Sequence, residues 1–140
     1  APDLIAGRVA VELAKKAKTA VKGARVLILG IAYKKDVEDT RESPALAILN
    51  RLEDMGAACD YHDPYFPALP VTRDHPNLAG RKSVALSDAV LESYDVVVVA
   101  TDHRNVDYAL IAKSARLVLD TRNVFSSMNV AISGGKLVKI

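Results

Sequence analysis

The run Asp95-Val96-Val97-Val98-Val99-Ala100 constrains the fold more than any other stretch of the chain. A strand with one wet face alternates apolar and polar residues. This run is apolar on both faces, as strands at the centre of a parallel sheet are, with helices covering each side. RVLILG, residues 25–30, is a second such run, stopped by a glycine. ACDYH (58–62), closed by Asp63-Pro64, and ARLVLD (115–120) read as further strands, and KLVKI (136–140) as an edge strand after the Gly134-Gly135 turn. KSVALS (82–87) reads as a short edge strand.

Helical signals fall between these runs. Ser43 is a good N-cap and Pro44 a good first helical residue. Leu46, Leu49, Leu52 and Met55 then form a stripe that ends at Gly56. Residues 3–21 predict a helix with Ile5, Val9, Leu13 and Ala17 on one face and Lys15, Lys16 and Lys18 in its late turns, ended by Gly23. Shorter helices are expected after Ser87 and over about 105–113, and Pro64, Pro67, Pro70 and Pro76 mark residues 64–82 as irregular. Strands alternating with helices predict one α/β domain with a mostly parallel sheet and helices on both faces. The 140 residues and a hydrophobic share of 50% suit one such core.

The bulk chemistry removes several function classes. A formal net charge of +2 leaves no footprint for nucleic acid or an anionic membrane surface. No apolar run approaches the ~20 residues of a membrane span, and Asp3, Arg8 and Glu12 interrupt any signal peptide. A single cysteine, Cys59, excludes an internal disulfide and fits a reducing compartment, so the expected location is the cytoplasm.

Right-handed crossovers bring every strand-to-helix loop to the carboxyl edge of such a sheet, where ligands bind near the reversal of strand order. Three loops should meet there: GIAYKKD, ATDHRN and LDTRN. They bring Lys34, Arg104 with His103, and Arg122 to the strand ends. Cations from separate strands suggest an anionic ligand, although charged strand-end loops also arise with no ligand at all. The first loop, within GIAYKKDVEDTRESPA (30–45), has 12 residues between Gly30 and Ser43 and is net negative. It contains neither a G-x-G-x-x-G dinucleotide fingerprint nor a Walker loop. A solvated charged turn is the plain alternative. Against it stand the preceding apolar strand, Tyr33 beside Lys34, and Arg41 just before a capped helix N-terminus with free N–H groups.

GIAYKKDVEDTRESPA resembles the signature of the C-terminal domain of the UDP-glucose/GDP-mannose dehydrogenase family. YHDPYFP, DVVVVATDH and LDTRNVF fit the same family in order and spacing, so the resemblance covers nearly the whole chain. The spellings YKKDVEDTRESP and VVVVATDHRNVDY are most similar to the bacterial branch acting on UDP-N-acetylhexosamines. The resemblance implies a Rossmann-like three-layer α/β/α domain over 23–140, preceded by the end of a long connecting helix from a central domain over 1–22. It implies an NAD-dependent 6-dehydrogenase that oxidises the C6 alcohol of a UDP-sugar to a carboxylate through a cysteine-bound intermediate. NAD is then held mainly by an N-terminal domain, and the catalytic cysteine, lysine and asparagine lie in the central region. The whole enzyme is expected to be a homo-oligomer.

Carried over residue by residue, Tyr33 and Lys34 match the aromatic-lysine pair on the nucleotide sugar. Arg122 matches an arginine on the same ligand, and Arg41 matches the arginine that reaches NAD. Arg122 has an alternative reading as a salt-bridge partner of Asp120 or Asp102. His103 reads either as a donor to the ligand or as a partly exposed residue without a role. Lys35 reads as a solvated neighbour, and Asp39 either orients Arg41 or simply forms a turn. Cys59, flanked by Ala57 and Ala58 in a strand, reads as a small buried hydrophobe and not as the catalytic cysteine.

The chain therefore reads as an excised domain that binds UDP weakly and is inactive alone. A stand-alone, non-catalytic nucleotide-binding or assembly module is the other class. The helix that begins at Ala1-Pro2 with apolar residues favours the first, and its stripe of Ile5, Val9 and Leu13 is expected to face another domain and to drive self-association when bare.

Overall fold

The computed structural model describes residues 2–32, 35–36 and 43–140. Five parallel strands form one sheet: β1 (Arg25–Leu29), β2 (Ala58–His62), β3 (Val96–Val99), β4 (Val118–Asp120) and β5 (Leu137–Lys139). Their spatial order is β2-β1-β3-β4-β5. The chain steps outward from β1 to β2 and returns past β1 to β3, so strand order reverses between β1 and β3. The register sets Val26 beside Val96 and Leu29 beside Val99.

The helices are α1 (Pro2–Glu12), α2 (Pro44–Asp54), α3 (Asp88–Glu92), α4 (Tyr108–Ser114) and α5 (Val124–Ser127). Reversal of direction puts the crossovers on opposite faces. Val26, Ile28, Val96 and Val98 pack with α1 and α2, while Leu27, Leu29, Val97 and Val99 pack with α3, α4 and α5. The run of four valines is buried throughout because both of its faces are cores. Ser43 caps α2 by accepting from Leu46 N–H. Ser87 and Asp107 do the same for α3 and α4. None of the described helices is long and apolar enough to cross a membrane.

The first helix departs from the expectation of 3–21. After Glu12 it widens into a π-helical turn over Leu13–Ala17, and Lys18, with φ of 54°, closes it. Leu13 O accepts both Lys18 N–H and Thr19 N–H, which ends the α-helical ladder. Gly23, at φ of 84°, belongs to the next turn, where its N–H meets Gly56 O at 2.8 Å. The stripe is also covered, contrary to expectation. Val9 and Leu13 are fully buried with Ala6 in the core shared with α2, and only Ile5 and Ala17 are half-buried. A helix of 11 residues is marginal in water, and each fully buried Val or Leu contributes about 1.5–3 kcal/mol, so this packing holds it. The exposed apolar residues of α1 are Leu4 (72%) and Val11 (49%), on its other side. KSVALS forms no strand. It runs beside β2 with Val84 N–H on Tyr61 O at 2.9 Å, and Lys82 makes an isolated antiparallel bridge to Ala68. Ser83 N–H goes the other way, to Pro67 O at 3.0 Å, so the backbone bonds are split between two neighbours and build no ladder with either.

Gly30 ends β1 with φ of 80°, and a Cβ there would lie 2.5 Å from Thr101 Cβ and 2.9 Å from Thr101 O. The β1 and β3 ends touch at this point because the residue is glycine. Gly30→Ala is expected to cost about 2–5 kcal/mol, combining overpacking with a left-handed backbone. A fall in the urea midpoint at unchanged slope will show it, and an unchanged midpoint will refute the close approach.

Candidate functional site

The carboxyl edge is organised by the residues that follow each strand. Asp63, immediately after β2, is buried and stands beside the end of β1. Its Oδ2 accepts Ile31 N–H at 2.7 Å and contacts His103 Nε2 at 3.0 Å, and its Oδ1 accepts Tyr65 N–H at 2.8 Å. These partners belong to the loops after β1, β3 and β2. Burial opposes ionisation of Asp63, but the hydrogen bonds from His103, Ile31 and Tyr65 outweigh it and hold its carboxyl below the usual carboxylate range.

His103 is wholly buried, so neither expectation for it holds: it is not a partly exposed residue, and both ring nitrogens are engaged by the protein. Asp36 N–H donates to Nδ1 at 2.6 Å. The Tyr65 ring lies 4.8 Å from the imidazole, centroid to centroid, and Tyr108 OH donates to His103 O at 2.6 Å. Asp36 has φ of 59°, and its carboxylate accepts Arg104 N–H at 2.9 Å and Arg104 Nε–H at 2.8 Å. The bond from the Arg104 backbone, aided by its guanidinium and opposed by desolvation, keeps Asp36 below its ordinary range. Thr101 Oγ–H on Ala32 O (2.8 Å) and Ser43 Oγ–H on Ile31 O (2.5 Å) complete the lock on the β1 end.

Of the residues expected to form the site, Tyr33, Lys34 and Arg41 lie outside the described residues, as does Asp39. Lys35 is exposed. Arg122 stands at the end of β4, next to β3 in the sheet, and is exposed. Its Nε–H donates to Ala100 O at 3.1 Å, and Asp120 accepts its backbone N–H at 3.0 Å and Phe125 N–H at 3.3 Å. The Asp120 carboxylate thus holds the backbone of the turn while the Arg122 side chain leans on the end of β3. Asp63 and the burial of His103 were missed. The available signals were an aspartate directly after a strand beside the switch point and a histidine four residues past a fully buried strand.

The described residues do not fit a dinucleotide pyrophosphate after β1. Thr101 fills the space against Gly30, and Ile31 N–H is already spent on Asp63. No three His, Cys, Asp or Glu among the described residues converge on a metal site. Cys59 is buried, and burial, with Glu53 nearby, pushes its thiol up to about 12, far from a nucleophile at neutral pH.

Asp63 gives the fold a definite acid response. A group whose folded pKa is depressed stabilises above its unfolded value, and that stabilisation is lost as pH falls through the folded value. Asp63→Asn is therefore expected to be about 1.5–3 kcal/mol less stable than the unaltered chain at neutral pH. The gap should narrow from about pH 5 to about pH 3. Urea unfolding of both proteins across that range checks it, and parallel curves would sink the assignment.

The model of the UDP-glucose/GDP-mannose dehydrogenase family, UDP binding domain, matches residues 27–127. The UDP-N-acetyl-D-mannosamine dehydrogenase of Pyrococcus horikoshii is 32% identical over 118 residues, covering 81% of this chain and 25% of the relative. The UDP-glucose 6-dehydrogenase TuaD of Bacillus subtilis is 30% identical over 121 residues, again 81% and 25%. Among solved structures, the Pyrococcus horikoshii UDP-D-ManNAc dehydrogenase superposes over 99% of this chain and 30% of that one, with a TM-score of 0.71 at 28% identity. The UDP-glucose dehydrogenase of Pyrobaculum islandicum superposes over 96% and 30%, with a TM-score of 0.63 at 25% identity. The chain spans about a quarter of the length of the curated relatives it matches. A parallel sheet with its switch point between β1 and β3, the DPY and TDH turns that meet there, and the match over 27–127 have one common reading: the chain belongs to the UDP-glucose/GDP-mannose dehydrogenase family and carries its UDP binding domain.

Proposed function

We propose that this domain grips the diphosphate of a UDP-sugar at the carboxyl edge of its sheet, in the loops after β1, β3 and β4. On this reading it serves an NAD-dependent 6-dehydrogenase that oxidises the sugar C6 alcohol to a carboxylate in the cytoplasm. The observation that carries the reading is the switch point itself. There, residues from three loops are fastened by one buried carboxylate, and Arg122 stands exposed beside them. Ligands of open α/β sheets bind at that place. The similarity to dehydrogenases of UDP-glucose and UDP-N-acetyl-D-mannosamine supplies the substrate class.

The division of labour follows from chemistry. Arginine binds phosphate oxygens in a fork and lysine acts as a compact charge, so Arg122 and Lys34 take the diphosphate while Tyr33 packs on the nucleotide sugar. Arg41 serves NAD, which is held mainly by another domain of the enzyme, since this sequence has no G-x-G-x-x-G fingerprint. Hydride transfer and the covalent intermediate likewise belong outside this chain, whose cysteine is buried. The domain alone binds and does not oxidise. Its partners are the N-terminal and central domains of the parent chain, in an enzyme assembled as a homo-oligomer.

Titration calorimetry with UDP and GDP tests the binding reading. UDP should bind the unaltered chain more tightly than GDP. Arg122→Ala should lose about 1.5–3 kcal/mol of UDP affinity, the worth of hydrogen bonds to a charged group. Equal affinity in the two proteins would remove Arg122 from the site.

A further inference from the structure

We propose that His103 is a positioning residue: held by Asp63 with its ring proton on Nε2, it offers Nδ1 to Asp36 N–H and so sets where the β1–α2 loop turns. Its bearing on nucleotide affinity rests on the binding reading given above. The protonation pattern follows from the partners. A backbone N–H can only donate, so the nitrogen that meets Asp36 N–H at 2.6 Å carries no proton. An ionised carboxylate can only accept, so the nitrogen 3.0 Å from Asp63 Oδ2 carries it. Asp63 also accepts Ile31 N–H and Tyr65 N–H, which keeps it an acceptor. The opposite tautomer would set two donors face to face at Asp36 and two acceptors face to face at Asp63.

The consequence falls on Asp36. Its backbone is left-handed, a conformation that aspartate tolerates better than most residues with a side chain, and it is held from outside. Two successive residues of the β3 loop provide the hold: His103 takes the Asp36 backbone N–H, and Arg104 takes its carboxylate. The relay therefore runs from the end of β2 through the end of β3 to the loop that leaves β1. With Tyr108 OH on its carbonyl and the Tyr65 ring against its imidazole, His103 is aimed and cannot swing away. A phenylalanine would fill the same buried space and break the relay. A glutamine has an N–H for Asp63 and a carbonyl for Asp36.

The experiment uses the unaltered chain, His103→Gln and His103→Phe, read by ring-nitrogen NMR, amide hydrogen exchange and UDP calorimetry. The unaltered chain should show the proton on Nε2 and a protected Asp36 amide. His103→Gln should keep that protection and bind UDP within about threefold of the unaltered chain. His103→Phe should lose it and bind about tenfold more weakly, the worth of one ordered hydrogen bond. A proton on Nδ1, an Asp36 amide equally protected in His103→Phe, or undiminished UDP binding by that variant would each overturn the proposal. If His103→Phe does not fold, the ring-nitrogen spectrum and the Asp36 amide of His103→Gln decide it in the same way. An unaltered chain that binds no UDP overturns the nucleotide reading alone, and the ring proton and Asp36 exchange still judge the relay.

Discussion

One buried carboxylate fastens the carboxyl edge of this sheet. Asp63 gathers N–H groups from the loops after three strands that are adjacent in space, β2, β1 and β3. An ionised group without partners inside a protein is expensive, and burial alone would push Asp63 toward its neutral form. Three donors reverse that. The need runs both ways, because Ile31 N–H and the wholly enclosed His103 ring lack water and would be orphaned without the carboxylate. The carboxylate thus ties the three loops to one another. A ligand site built from separate loops gains its precision from such a shared support.

This support depends on the sheet beneath it. The four valines of β3 are buried on both faces, which puts β3 at the centre and brings its end against that of β1. The approach is close enough that Thr101 occupies the space a side chain at position 30 would need. Thr101 then uses its hydroxyl on Ala32 O, so the contact that excludes a side chain also anchors the departing loop. Packing and hydrogen bonding act here on the same three residues. Loops on a sheet edge are where α/β proteins place recognition, and the described part of this edge is fastened by contacts that can be named.

The legibility of the chain follows the range of the interactions. Val96–Val99 declared a central strand because burial on both faces is written in four consecutive residues. Ser43-Pro44 declared a helix start because capping is local. The end of α1 was misread because it rests on a π-turn closed by Lys18, a residue with no special preference for a left-handed backbone. KSVALS alternates like a strand but found no neighbour to pair with beyond single contacts. His103 was the hardest to place. Nothing near it announces burial, since its partners lie 40 residues away at Asp63 and 67 away at Asp36. The expected placement of Arg122 at a strand end held because the strand before it was plain. Its lean onto Ala100 O, in place of a pairing with Asp120 or Asp102, depends on strand order and could not be read locally.

A buried negative charge beneath a proposed diphosphate site needs a physical reason, since like charges repel strongly away from water. Its three N–H partners supply most of it, because each points a positive end at the carboxylate and weakens its outward field. His103 carries the rest of the argument. A neutral imidazole conveys position from Asp63 to the β1–α2 loop without conveying charge. A direct carboxylate contact would bring the negative charge closer to the ligand, and a lysine in its place would neutralise Asp63 but accept nothing from Asp36 N–H. The second acid, Asp36, is met at once by Arg104. Among the described acids, Asp63, Asp36 and Asp120 are thus turned onto N–H and arginine donors, while Arg122 stands exposed at the end of β4. On the proposed reading, these loops are held by negative charge while the exposed guanidinium of Arg122 is left for the diphosphate.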